Sequence, residues 1–270
     1  MKIVDMAGEP LAGYCKCLED WSTEFDDEGG NKQKWYEKEK GHGLRVKLAE
    51  DDNGDVVGMI HYIPAEYAPI VGKDVWYIYC IWVHGYDKGV GNHQHKGIRK
   101  MQLRAAEEDA RAGGAKGIVA WGVTLPFFMR SGWFKKQGYR QVDRDGMTEL
   151  VLKSFVAEGE IEKPALVKRK GKIEGGTDRV RLTCFMNGWC PGQNIVYERA
   201  KRIAGEHPGQ VEFVGIDTTD RKLMLEYGVV DGLFVDDRQV RTGPPPSYEK
   251  LKKVVEKRLR KRKMIGRNVA

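Results

Sequence analysis

The sequence predicts an α/β protein of the α+β kind: a mixed, mainly antiparallel sheet carrying helices, then a second, smaller α/β domain. Three observations carry this. Val75-Trp-Tyr-Ile-Tyr-Cys-Ile-Trp-Val83 is a β-branched and aromatic run suited to a buried strand, and a glycine-rich turn leads from it into a helix and another apolar run. Apolar and polar residues alternate on both sides of Asn53-Gly54, and a shorter pair of runs flanks Asp145-Gly146; both dipeptides are hairpin turns. After residue 179 a fresh series of apolar runs begins, in the order βαβαββα.

From the start of the chain, residues 1–6 suggest a strand. Residues 11–40 are polar with apolar points at Cys15, Cys17, Trp21, Phe25 and Trp35, and read as two short helices broken at Asp26-Asp-Glu-Gly-Gly30. Leu44–Glu50 and Val56–Pro64 form the first hairpin, and Lys73–Val83 extends it to a meander. The helix opens at Gln94-His-Lys-Gly97-Ile-Arg99 and runs to about Ala112, with Ile98, Met101, Ala105 and Ala112 on its apolar face. Gly113-Gly114 stops it, and Gly117–Gly122 is the next strand. Leu125-Pro126 opens a helix that ends at Gly138, since proline suits a first turn. Tyr139–Asp143 and Met147–Phe155 close the first domain, 1–155. Residues 156–178, with Glu158-Gly-Glu160, Pro164 and Lys168-Arg-Lys-Gly-Lys172, read as a linker of little structure. In the domain at 179–270, Val180–Phe185 is a strand, and Trp189-Cys-Pro-Gly-Gln193 leads into a helix to about Ala204. Val211–Asp217 is a strand, Thr219–Tyr227 a helix, and Gly232–Val235 with Gln239–Arg241 a hairpin; Pro246–Lys261 is the last helix.

Composition narrows the classes. With 270 residues, 41% hydrophobic and 31% charged, the chain is an ordinary globular sequence with room for two modest domains. No apolar run approaches the ~20 residues that span a bilayer, and the first residues lack a signal-peptide core, so no membrane association and a cytoplasmic location are expected. Five cysteines, an odd number, do not make a disulfide framework. Cys15-x-Cys17 has no second pair at metal-binding spacing, and His84 with His93-x-His95 has no accompanying acidic or thiol ligand, so no metal is expected. The net charge of +7 favours anionic ligands, although much of the excess lies in the C-terminal tail, which reads as a solvated helix end. No stacking platform or known motif accompanies that tail, which argues against nucleic acid as a partner.

The turn between Val83 and Ile98 is the sharpest feature. A helix N-terminus has amides with no intrahelical partner, and the dipole adds positive charge, so it attracts anions. Lys96 and Arg99 add formal charge. The turn lacks the Gly-Lys-Ser/Thr of a P-loop and the glycine pattern of a dinucleotide fingerprint.

Gln94-x-x-Gly97-x-Arg99 resembles the pyrophosphate loop of the GNAT acyl-CoA N-acyltransferases, and Trp133-Phe-Lys-Lys-Gln-Gly138-Tyr139 resembles that family's F-Y-x-x-x-G-F segment. The resemblance covers residues 1–155. It implies acetyl-CoA or CoA as co-substrate and a small-molecule or peptide amine as acceptor, bound in part by residues 11–40. It implies that the strand ending at Val83 splays from the one at Gly117. Pantetheine would then pair with backbone of Ile81, Trp82 and Val83, the Val83 amide would polarise the thioester, and amides across Gln94, His95, Lys96, Gly97, Ile98 and Arg99 would take the diphosphate. Two positions depart from the family pattern. Arg99 replaces a small residue, and Phe134, on the wall of the cofactor site, replaces the tyrosine that protonates the leaving thiolate. Tyr79 and Tyr139 are the alternative acids, water a third, and His84 a candidate base because imidazole titrates near neutrality.

The second domain resembles the thioredoxin fold in its element order and in Trp-Cys-Pro at a strand-to-helix turn, and the two halves together resemble the YoaP-like group of GNAT proteins. Gln193 replaces the second cysteine of the redox motif. Cys190, at a helix N-terminus, is the redox candidate with Cys184 as its partner thiol. Two readings stay open: an N-acyltransferase, with the second domain serving substrate binding or a homodimer contact, or a thiol-redox or thiol-binding protein whose first half binds CoA as a regulator.

Overall fold

The computed structural model describes residues 1–9, 11–126, 128–240 and 245–267, with backbone alone at 265–267. The chain divides into two compact units, residues 1–22 with 33–168 and residues 23–32 with 169–270.

The first unit is built on a seven-stranded sheet. Its strands are β1 (Lys2–Asp5), β2 (Arg45–Glu50), β3 (Val56–Pro64), β5 (Val75–Val83), β6 (Gly117–Val123), β7 (Arg140–Asp145) and β8 (Thr148–Ser154), in the order β1-β2-β3-β5-β6-β8-β7. Every neighbouring pair is antiparallel except β5 with β6. Both hairpins expected at Asn53-Gly54 and Asp145-Gly146 form, the first with Gly54 at φ +87° and the second with Gly146 at +55°. A β-bulge lies on β5. His61 faces Cys80 and Tyr62 faces Ile78, which leaves Tyr79 as the extra residue.

Helix α3 (Ile98–Ala112) crosses one face of this sheet. Its buried residues are Ile98, Gln102, Leu103, Ala106, Glu107 and Ala110. This corrects the expected face: Met101 is exposed, and Glu107, not among the residues of that face, is buried, accepting from the Tyr139 hydroxyl at 3.1 Å and pairing with Lys153 at 2.6 Å. Leu103, Ala106 and Ala110 pack on Ile60, Ile78, Ile81, Ile118 and Ala120, with Phe134 and Tyr139 in the same cluster.

The helix expected from Leu125 to Gly138 is far shorter. Only α4 (Ser131–Lys135) forms. Pro126 starts no helix, because the backbone on either side is already paired: Val123 N–H donates to the Met129 carbonyl at 2.8 Å and Thr124 N–H to Met147 at 3.0 Å. Phe127, inside the expected helix, lies outside the described residues. The stretch read as linker is also partly ordered. Within it β9 (Ala165–Leu166) pairs with β4 (Ile70–Val71), and Ile173 is buried in the second unit.

α1 (Ala12–Cys15) and most of α2 (Asn31–Lys40) belong to the first unit. The ten residues 23–32 do not, in contrast to the division at 155 expected from the sequence. Arg199, a buried side chain of the second unit, donates to Asp27 at 3.0 Å and Glu24 at 3.2 Å. Asn31 donates to Glu198 at 2.9 Å, and Asn194 to Glu28 at 3.3 Å. No periodicity announces these pairs, which join residues more than 160 apart in sequence.

In the second unit β10 (Val180–Met186), β11 (Val211–Asp217), β12 (Gly232–Val235) and β13 (Arg238–Val240) form one sheet in the order β11-β10-β12-β13, with only β10 and β11 parallel. α5 (Pro191–Gly205) and α7 (Tyr248–Arg267) share the apolar cluster of Leu182, Cys184, Val196, Ile203, Leu233, Leu251 and Val255. α6 (Arg221–Tyr227) starts at Asp220, whose carboxylate caps Lys222 and Leu223 amides, and its tyrosine packs on Phe185 in a second cluster. On α7 Leu251 and Val255 are buried while Val254 is exposed, and Arg241 of the expected hairpin lies outside the described residues.

Candidate functional site

The two central strands of the first unit part company. β5 and β6 pair over Val75–Ile78 and Gly117–Ala120 only, whereas β5 continues five residues to Val83 and β6 three to Val123. The bulge at Tyr79 stands where the separation begins. His84 N–H donates to the Val57 carbonyl of β3 at 2.9 Å. Because an antiparallel strand alternates its hydrogen-bonding edge residue by residue, the backbone of Trp82 turns to β3 while the amides of Ile81 and Val83 turn to the opened side. Of the three residues expected to offer backbone, Trp82 faces β3, and Ile81 and Val83 face the opened side. The Tyr79 carbonyl is held by the indole N–H of Trp121 at 2.7 Å.

The loop from His84 to Gly97 is tied to itself. His93 N–H donates to the His84 carbonyl at 2.9 Å, and Gln94 N–H to the Asn92 side chain at 3.0 Å, which removes the Gln94 amide from the donors expected there. His95 and Gly97 both have positive φ, +63° and +80°. α3 then begins with no side-chain cap on its first amides, and a Cβ built on Gly97 would meet nothing within 4 Å. The helix N-terminus therefore opens on empty space bordered by exposed His95 and Lys96. The Ile98 side chain packs inward, buried with Val57, Val83 and Ala49.

Arg99 follows in the first turn. Its guanidinium lies 4.0 Å from the Trp133 ring centroid and 5.6 Å from that of Phe134. Nε and Nη2 are buried without a hydrogen-bond partner, and desolvation pulls the pKa down to about 10.

The expected acid and base fare differently. His84 is fully buried. Nδ1 lies 2.7 Å from the Gly91 carbonyl, which can only accept, so Nδ1 carries the proton; Nε2 accepts from the Trp21 indole at 3.1 Å. Its lone pair is spent on Trp21, which corrects the reading of His84 as general base. Phe134 is fully buried in the core under α3, which corrects the expectation that it walls the cofactor site. Tyr139 is buried, and its hydroxyl is committed to Glu107, which together with burial pushes its pKa well up. Tyr79 is buried among Trp35, Tyr77 and His61, at the point of the fork.

In the second unit Cys190 is the N-terminal cap residue of α5, with Pro191 at the first helical position and its own N–H donated to the Asn187 side chain at 3.1 Å. Asn187 also donates to Asp231 at 2.9 Å. Cys184 is 1% exposed within the apolar cluster, and burial raises its pKa strongly. A thiol so buried stays protonated, which corrects its reading as an exchanging partner of Cys190.

Sequence spacing did not signal Trp21, 63 residues from the histidine it holds, nor the stack of Arg99 on Trp133. The tryptophans were legible only as apolar bulk.

Residues 11–139, just under half of the chain, match the model of the acetyltransferase (GNAT) family. No curated protein matches the chain. Among solved structures it is similar to the GNAT family N-acetyltransferase YhbS from Escherichia coli in complex with CoA, at 13% identity and TM-score 0.43, over 61% of this chain and 88% of that one. It is similar to a GNAT family acetyltransferase from Elizabethkingia anophelis with acetyl-CoA bound, at 18% identity and TM-score 0.38, over 57% and 97%. It is also similar to aminoglycoside 6'-acetyltransferase type Ii, at 17% identity and TM-score 0.43, over 58% and 99%. At these scores the likeness carries no functional weight.

Proposed function

We propose that the first unit, whose residues 11–139 match the acetyltransferase (GNAT) family model, moves an acetyl group from acetyl-CoA to the amine of a small molecule or peptide. One observation carries this reading: β5 and β6 separate directly beneath a helix whose first amides have no side-chain cap. A diphosphate on the amides from Gly97 to Arg99 would anchor the donor. The pantetheine arm would run along the open edge of β5, its amide groups meeting backbone of Ile81 and Val83. The thioester carbonyl would take an N–H from that edge, where the oxyanion of the tetrahedral intermediate would also be held. Binding thus converts a bimolecular encounter into a positioned one.

The proton inventory is short. The attacking amine must be neutral, and water is the base in this reading, since His84 is committed to Trp21 and Gly91. Tyr79, at the fork, is the acid for the departing thiolate. An acetyl-CoA-dependent activity suits the cytoplasm.

The second unit supports a thioredoxin-like reading through its sheet order and through Cys190 at the head of α5. Without a usable Cys184, the redox alternative reduces to a single thiol, and we assign the module to acceptor recognition. Release of CoA thiol, followed while a panel of amines and peptides is offered with acetyl-CoA, tests the proposal. Product mass increased by one acetyl group supports it, and donor hydrolysis alone would refute it. Turnover unchanged in Cys190→Ser separates the acyltransferase from the thiol reading.

A further inference from the structure

Arg99, in the first turn of α3, has two buried N–H groups, at Nε and Nη2, with no acceptor among the described residues. Its guanidinium reaches from α3 to the Trp133 ring of α4, and both helices pack on the cluster that includes Ile81 of β5 and Ala120 of β6. Ala120 is the last residue of β6 paired with β5, and Ile81 lies on β5 beyond that pairing. The stack therefore joins the first turn of α3 to α4, and its Trp133 ring packs against the cluster that contains Ile81 and Ala120. The stack is held by cation–π attraction, and opposed by two buried N–H groups left without acceptors. It is a state that an incoming anion can undo.

We infer that Arg99 and Trp133 form a phosphate-operated latch over the thioester slot. A donor bearing the CoA diphosphate draws the guanidinium off Trp133 onto phosphate oxygens, which satisfies Nε and Nη2 and clears the slot. A thioester without phosphates meets a closed mouth. Arg99 is thus a specificity-determining residue: it selects nucleotide-bearing thioesters over short ones. This inference rests on the acyl-CoA reading above and adds to it a direction that a plain phosphate-binding arginine would not give.

The test compares acetyl-CoA with the acetyl thioester of N-acetylcysteamine, using full-length wild type, Arg99→Ala and Arg99→Lys. Arg99→Ala is expected to lower kcat/KM for acetyl-CoA about tenfold to a hundredfold, the loss of one charge-assisted phosphate contact. The same variant is expected to raise kcat/KM for the short thioester several-fold, because the mouth stands open. Arg99→Lys, which keeps the charge but lacks the planar fork, should recover part of the acetyl-CoA rate. In wild type, CoA should change tryptophan emission by an amount that Trp133→Phe removes, and the N-acetylcysteamine thioester should not. Loss of activity with both donors in Arg99→Ala, or no change with either, overturns the latch while leaving the acyltransferase reading in place. Failure of the wild type to bind CoA at all would instead remove the reading on which it rests.

Discussion

The indole N–H of Trp21 meets Nε2 of His84 at 3.1 Å, while Nδ1 of the same ring is held 2.7 Å from the Gly91 carbonyl. The imidazole is a rivet between the N-terminal segment and the loop that follows β5. His84→Gln should therefore leave the pH dependence of kcat unchanged and raise the KM for acetyl-CoA several-fold, as the loop loses its clamp. A fall in kcat of about a hundredfold or more, with loss of the acid limb, would restore His84 as the base.

Arg99 carries a desolvation cost, with Nε and Nη2 buried and no acceptor for them among the described residues. Burial without a counter-ion lowers its pKa to about 10, so the charged form is disfavoured in the folded state relative to the unfolded one. The penalty is present at neutral pH and is relieved as pH rises through that value. Arg99→Met should raise stability by about 1–2 kcal/mol at pH 7 in urea unfolding, with the gap narrowing above pH ~10. A variant less stable than wild type would mean that the stack on Trp133 outweighs desolvation.

Much of the first unit was legible because its signals are local. Asn-Gly and Asp-Gly turns fix the hairpins, and Gly113-Gly114 ends α3 by a short-range rule. The fork's position followed from resemblance, and the extra residue Tyr79 that marks it has no sequence signature. What stayed hidden is long-range. Pro126 fits a helix start until Met129 and Met147 take the neighbouring backbone. Glu107 looks like a solvent residue until Tyr139 and Lys153 close on it. Residues 23–32 look like part of their neighbours until Arg199 demands their carboxylates.

In the second unit Asp236 is the central ion. Its buried carboxylate accepts from the amides of Arg181 at 2.9 Å and Gly176 at 3.2 Å, and from Arg262 at 3.1 Å, and it pairs with Arg258. These donors hold its pKa below the usual carboxylate range against the opposing effect of burial. A depressed carboxylate stabilises above its unfolded pKa of ~3.9 and loses that contribution as pH falls through the folded value. Asp236→Ala should cost about 3 kcal/mol at pH 7, and the difference from wild type should shrink below pH ~4. A cost under about 0.5 kcal/mol would show that water replaces the carboxylate without loss.

The central claim is that the helix amides beginning at Gly97 seat the diphosphate of an acyl-CoA. Isothermal titration of CoA into the full chain, alongside Gly97→Glu, tests it most directly. The account predicts saturable heat at one CoA per chain for wild type and none for Gly97→Glu, whose carboxylate would fill the empty space above Gly97. Equal heats from the two proteins, or no heat from wild type, would contradict it.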